Sequence, residues 1–260
     1  MNVKPKKHLG QHFLRNEEIC QRIAQSLTRH GGYTQLLEIG PGTGALSKFL
    51  LELPEMDVSV IEVDEESIAY LNAYFPKLRG KILNHDFLQL PLHEKFEGQI
   101  AIIGNFPYNI SSQILFKVLD HKEQVPEVVG MFQKEVAVRI ASGPGNRDYG
   151  ILSVLCQAYY DIDYLFSVDE NEFIPPPKVK SGVIRLRRRE SLELGCDPKR
   201  FKLVIKTAFN QRRKTLRNSL KSLSQGQVDM SGPIFDKRPE QLSVAQFVEL
   251  THIFTPNNPA

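Results

Sequence analysis

Asn105-Phe106-Pro107-Tyr108 is a set of residues able to hold the exocyclic amine of a nucleobase. Asn105 carries a side-chain carbonyl that accepts N–H groups. The residue before Pro107 is pushed toward an extended conformation, so the backbone carbonyls there can point outward. Tyr108 offers a flat face on which a base can stack. The same four residues also describe an ordinary strand-to-helix turn with a Pro stop and a half-buried Tyr, and a motif this short is ambiguous alone.

The elements that would position this group come from the preceding hundred residues. Leu36-Leu37-Glu38-Ile39 reads as a short buried strand, followed by Gly40-Pro41-Gly42-Thr43-Gly44 and a helix over 45–53, the first half of a βαβ unit. The spacing is G-x-G-x-G, which argues against a dinucleotide pyrophosphate cradle and for a smaller adenosyl ligand. A second strand over 58–63 carries Glu62, 22 residues after Gly40, where a carboxylate takes ribose hydroxyls in nucleotide-binding βαβ units. Asp64 is a rival for that role. A third strand over 81–83 is followed by Asp86, placed to accept from an adenine amine, and by Phe87, able to lie against the ring. An Asx turn would also explain Asp86. The fourth strand, over 99–104, delivers Asn105. Ligands of open α/β sheets bind beyond the carboxyl ends of strands, so Gly40, Glu62, Asp86 and Asn105 converge on one rim.

The rest of the chain extends this frame. Residues 4–15 form a basic arm, and Asn16 caps a helix with Ile19, Ile23, Ala24 and Leu27 on one face, ended by Gly31-Gly32. Helices over 111–120, 134–141 and 150–158 and a fifth strand over 127–132 follow. Strands over 163–168 and 179–186 close the sheet. Between them Phe173-Ile174-Pro175-Pro176-Pro177-Lys178 is a stiff extended segment that can hold Phe173 at the rim, or a plain rigid connector. From Asp197-Pro198 the pattern turns helical, with Phe201, Val204, Ile205, Ala208 and Phe209 on one stripe and a last helix after Ser243. The expected fold is α/β, a Rossmann-like seven-stranded domain over 1–190 with the basic arm, followed by a small all-helical domain over 191–260.

Composition narrows the class. With 260 residues, 41% hydrophobic and 24% charged, the chain can bury a full core as a soluble protein. Three dispersed cysteines, Cys20, Cys156 and Cys196, make neither a disulfide framework nor a metal site and point to a reducing compartment. No stretch reads as a signal peptide or membrane span, and a cytoplasmic location is expected. Charge is uneven: residues 178–221 carry fifteen Lys/Arg against Glu190, Glu193 and Asp197, a local net of +12. Together with the basic arm this suggests a polyanionic partner, although a solvated basic helix has the same appearance.

These residues resemble the ribosomal RNA adenine N6-dimethyltransferases of the KsgA/RsmA type. The likeness is carried by Gly10-Gln11-His12-Phe13-Leu14, Glu38-Ile39-Gly40-Pro41-Gly42-Thr43-Gly44, Val60-Ile61-Glu62-Val63-Asp64, Asn105-Phe106-Pro107-Tyr108-Asn109-Ile110-Ser111, Gln133-Lys134-Glu135-Val136, Phe173-Ile174-Pro175-Pro176-Pro177-Lys178-Val179 and Phe209-Asn210-Gln211-Arg212-Arg213-Lys214-Thr215-Leu216-Arg217. One departure is His12, where the family usually has Asn. The resemblance implies a class I methyltransferase fold, S-adenosylmethionine as methyl donor, and two adjacent adenosines near the 3′ end of small-subunit (16S) ribosomal RNA as target. By the same resemblance His12 and Leu14 contact the cofactor, Gly40 lies beneath it, Glu62 takes its ribose and Asp86 its adenine amine. Asn105 and the Pro107 carbonyl grip the target N6, also facing the cofactor, while Tyr108 and Phe173 sandwich the base. Arg212, Arg213, Lys214 and Arg217 are the expected RNA contacts. A monomer without metal, working on the small subunit during its biogenesis, is the expectation. The alternatives are an adenine methyltransferase acting on large-subunit RNA or DNA, and an assembly factor in which methylation is secondary.

Overall fold

In the computed structural model, which describes residues 3–224, 226 and 228–255, the chain divides into two compact units. The first takes the residues before Arg139 together with Tyr160–Arg189; the second takes Arg139–Tyr159 and everything from Glu190 on.

Nine strands form in the first unit: β1 Phe13–Leu14, β2 Gln35–Ile39, β3 Asp57–Glu62, β4 Ile82–Asn84, β5 Ile100–Asn105, β6 Glu127–Gln133, β7 Tyr160–Val168, β8 Phe173–Ile174 and β9 Ser181–Arg188. Seven of them make one sheet in the order β4-β3-β2-β5-β6-β9-β7. The pairs from β4 to β6 are parallel, and β9 runs antiparallel to both neighbours. Strands β2, β5 and β6 are apolar and almost wholly buried, as expected of strands covered on both faces. Leu36, Val58, Ala101, Ile103, Val129 and Val183 belong to one core cluster. The chain steps outward from β2 to β3 and β4, then returns to β5 on the other side of β2. That reversal opens a crevice at the carboxyl ends of β2 and β5.

The seven expected strands are the seven of this sheet. Three expectations about these elements need correction. The helix expected over 45–53 is only the single turn Ser47–Leu50, with turns on either side. The first helix runs only over Glu17–Ala24, with Asn16 capping it through the Ile19 N–H, and does not reach Gly31. The buried Glu127 carboxylate recruits the backbone N–H groups of Thr28 and His30 and the hydroxyls of Thr28 and Tyr33, which takes those donors out of any helical ladder. The division at residue 190 also changes, because Arg139–Tyr159 groups with the helices from Glu190 on. In the second unit the Tyr149 ring meets Phe209 edge-on at 6.4 Å, and the Gly145 N–H donates to the Glu240 carbonyl at 2.7 Å.

That unit is built on the helix Pro198–Asn210, capped by Asp197 through the Arg200 N–H, with Phe201, Val204, Ile205, Ala208 and Phe209 all buried. The helix Val244–Ile253 starts from Ser243 in a capping box with Gln246 and stacks Phe247 on Phe209 at 5.9 Å. The last five residues of the expected helical domain lie outside the described residues. Among the described residues no helix is long and apolar enough to cross a membrane.

Candidate functional site

A cavity of about 300 Å³ opens on the carboxyl-end rim of the sheet. Gly40 follows β2, Glu62 ends β3, Asp86 lies two residues beyond β4, and Asn105 ends β5; all four line it, with His12, Leu14, Pro107 and Tyr108. Phe173 does not line it. Its ring is 1% exposed and belongs to the core cluster with Leu14, Ile23 and Val183, because β8 pairs with β1 and turns the side chain inward. The expected sandwich of Tyr108 and Phe173 is therefore corrected. The ring lying against Tyr108 is that of His12, with centroids 5.6 Å apart and planes at 26°.

The glycine turn is tied to the end of β3. Glu62 accepts the N–H groups of Val63 at 2.9 Å and Asp64 at 3.0 Å on one oxygen and that of Gly42 at 3.2 Å on the other. Gly42 has φ of 54°, and a Cβ there would sit 2.7 Å from the Phe13 ring, so both conformation and space require glycine. Burial pushes the Glu62 carboxyl up, and the three N–H groups offset part of that. Three of the four lone-pair sites of the carboxylate are thus used, and the one left on the oxygen that bonds Gly42 can still accept a hydroxyl donor. Asp64, the rival, is turned away from the cavity. It caps the helix Glu65–Tyr74 and is bonded by the Lys6 ammonium, by Ser67 at 2.9 Å and by Gln11 at 3.3 Å. Burial opposes its charge, but those three donors outweigh burial and hold its carboxyl below the ordinary range. The latch draws the N-terminal arm over the cavity, which Leu9, Gly10 and Gln11 also line.

Asp86 keeps one oxygen on the Leu88 N–H at 2.9 Å, capping a short turn, while Phe87 is buried and lines the cavity beside it. Asn105 is oriented from the arm: its Nδ2 donates to the His12 carbonyl at 2.8 Å, which leaves Oδ1 as an acceptor. The Pro107 carbonyl accepts the Ile110 N–H at 3.1 Å and retains its second lone pair. Phe106 seats the turn in the core, edge-on to Phe132 at 5.2 Å. The Tyr108 hydroxyl is 2.5 Å from Ser181 Oγ, and burial pushes the phenol up while Ser181 favours its charged form. His12 Nδ1 lies 2.8 Å from the Pro175 carbonyl, so that nitrogen carries the proton.

One lining residue escaped sequence reasoning as a site group. Glu38 lies inside β2, 2% exposed, bonded to the Ser47 hydroxyl, and burial pushes its carboxyl up to about 8. A carboxylate within an apolar strand was the available signal. The lining thus holds Glu38, Glu62 and Asp86 but, among the described residues, no Lys or Arg. A phosphate-bearing ligand would meet no counter-charge here. A sulfonium bearing an α-ammonium group and an adenosine suits this donor set, so the residues fit the expected cofactor.

The basic residues of the second unit separate into two kinds. Arg212 donates to the Arg147 carbonyl, and Arg217 to the Met230 carbonyl and to Asp236 at 2.6 Å. The side chains of Arg213 and Lys214 are exposed and make no hydrogen bond or ion pair among the described residues.

A family model for ribosomal RNA adenine dimethylase matches residues 2–255. The chain belongs to that family. It is 60% identical over 252 residues to the ribosomal RNA small subunit methyltransferase A of Parabacteroides distasonis, covering 96% of this chain and 94% of the other. The protein of the same name from Cytophaga hutchinsonii is 56% identical over 253 residues, covering 97% and 98%. Among solved structures a dimethyladenosine transferase from Plasmodium falciparum matches with a TM-score of 0.75 at 25% identity, over 92% of this chain and 96% of that one. The 23S rRNA methyltransferase ErmE matches with a TM-score of 0.65 at 24% identity, covering 92% and 99%, a likeness of fold.

Proposed function

We propose that this family member transfers methyl groups from S-adenosylmethionine to N6 of adenosine in small-subunit ribosomal RNA, dimethylating two adjacent adenosines near the 3′ end. The single observation that carries the reading is the state of Asn105. Its amide nitrogen is committed to the His12 carbonyl, so the free end of the side chain in the cavity is an acceptor suited to an N–H group.

When bound, S-adenosylmethionine supplies a methyl already activated on sulfur. The remaining difficulty is the nucleophile, because the adenine amine donates its lone pair into the ring. Asn105 Oδ1 and the second lone pair of the Pro107 carbonyl accept the two N–H groups of the unmodified amine, or the single N–H left after a first methyl. They favour a more tetrahedral nitrogen, which sheds one proton to water after each transfer. Its lone pair then points away from both acceptors. Holding reacting atoms in line and stabilising developing positive charge with fixed dipoles supplies the rate without a strong general base. Glu62 and Asp86 hold the ribose and adenine of the donor, and Glu38, kept protonated near neutral pH by burial, is drawn toward its charged form by the donor's cationic end. The target base leaves its stack to reach the cavity, and Tyr108 replaces the lost stacking. Phosphate contacts from Arg213 and Lys214 add affinity that falls with salt. Such a substrate is met in the cytoplasm.

The test is transfer of labelled methyl groups to small subunits lacking this modification, with mass analysis of the nucleosides. N6,N6-dimethyladenosine in small-subunit RNA is expected. Methylation of large-subunit RNA or DNA in preference to it would overturn the substrate assignment.

A further inference from the structure

Tyr108 is held from a part of the fold that no catalytic motif includes. Its hydroxyl is 2.5 Å from Oγ of Ser181, the first residue of β9. Ser181 has no solvent exposure, and its main chain is flanked on both sides of its strand, by Gln133 in β6 and Val168 in β7. Its hydroxyl is thus a stationary point in the molecule. The origin of the Tyr108 side chain is fixed as well, because Phe106 anchors the turn in the core. What remains free is rotation about the two side-chain torsions of the tyrosine. A hydrogen bond at the far end of the ring removes that freedom and sets the plane of its face.

The hydroxyl has no other evident task. Stacking uses the ring face, not the oxygen. Ser181 is a neutral partner, and among the described residues no carboxylate or imidazole bonds to the Tyr108 oxygen, so no proton relay starts there. We propose that Ser181 is a positioning residue for the target base: by fixing the Tyr108 hydroxyl it presets the plane on which the flipped adenine stacks. This rests on the reading of Tyr108 as the stacking platform. A preset plane spares the enzyme the ordering of that side chain each time a base enters.

The experiment compares wild type, Ser181→Ala, Tyr108→Phe and the double variant in methyl transfer to unmodified small subunits. Cofactor affinity is measured by calorimetry and folding by thermal melting. Each single change should lower kcat/KM for the subunit about tenfold, the loss expected of one positioned hydrogen bond. The double variant should be no worse than either single one, because both changes remove the same bond. Cofactor affinity should stay at the wild-type value throughout. Losses that multiply in the double variant, or wild-type kcat/KM in either single variant, would overturn the proposal. Should Ser181→Ala melt early, Tyr108→Phe still tests the bond from its partly exposed end without touching the sheet. Tyr108→Ala separates the two levels of the argument. Wild-type turnover there removes the platform itself, whereas a severe loss alongside normal Tyr108→Phe removes only the role of Ser181.

Discussion

Replacing Glu38 by Gln should change how stability responds to pH. Glu38 lies within β2, opposite Val60 on one side and Ile103 on the other, and is bonded to Ser47. Burial raises its carboxyl from 4.5 to about 8, with the nearby Glu62 charge acting in the same direction. Between those values the folded protein binds a proton that the unfolded chain has released, so rising pH favours unfolding. The contribution is fully present below pH 4.5 and is lost as pH rises through about 8. At ~1.4 kcal/mol per pH unit, the interval caps the loss at roughly 5 kcal/mol. Glutamine keeps a hydrogen-bonding partner for Ser47 and cannot ionise. In urea denaturation Glu38→Gln should match or trail the wild type near pH 5 and exceed it by a few kcal/mol near pH 9. Saturating S-adenosylmethionine supplies a counter-charge in the same cavity, so it should narrow that gap. A difference between the two proteins that stays constant across this range would refute the burial argument.

Asn105→Ala should retain cofactor binding by calorimetry while methyl transfer is lost; normal turnover would sink the amine-gripping role. Arg213→Ala with Lys214→Ala should weaken RNA binding and make log affinity against log salt shallower by ~1.4–1.8, measured by filter binding over a salt series. Arg217→Ala should instead lower the melting temperature of the protein, because that guanidinium is bonded to the Met230 carbonyl and to Asp236. Gly130→Ala should cost ~1–3 kcal/mol or more in chemical denaturation, since the new Cβ would lie 2.3 Å from the Phe106 ring. A denaturation midpoint equal to wild type would show that the seat of Phe106 is softer than the structure indicates.

Much of the frame was legible because parallel strands buried on both faces must be apolar runs, and turn residues must follow them. Leu36-Leu37, the 99–104 run and the 127–132 run could hardly be read otherwise. The glycine turn, Glu62, Asp86 and Asn105 were placed on one rim by topology alone, without any contact being known. What stayed hidden depends on partners distant in sequence. Phe173 looked like a rim residue in a proline-stiffened segment, but pairing of two-residue strands sends its ring into the core. The first helix stops early because Glu127, some hundred residues away, takes its would-be donors. Asp64 against Glu62 could not be decided locally, since the choice is made by Lys6 and Gln11 reaching over from the arm. The four basic residues of the second unit look alike in sequence, yet two brace the fold and two face solvent.

The discontinuous second unit bears on how the chain is made. Arg139–Tyr159 is synthesised before β7 and β9, yet its structural companions begin only at Glu190. The sheet must therefore admit its last two strands while a foreign segment hangs between β6 and β7, and that segment must wait with Val154 and Tyr149 unsheltered. The first unit needs nothing synthesised after Arg189, whereas the second cannot be completed until the helices from Glu190 on have left the ribosome. Cutting the gene near codon 190 would not yield a self-sufficient catalytic piece, because it would strand apolar surface that only the later helices cover.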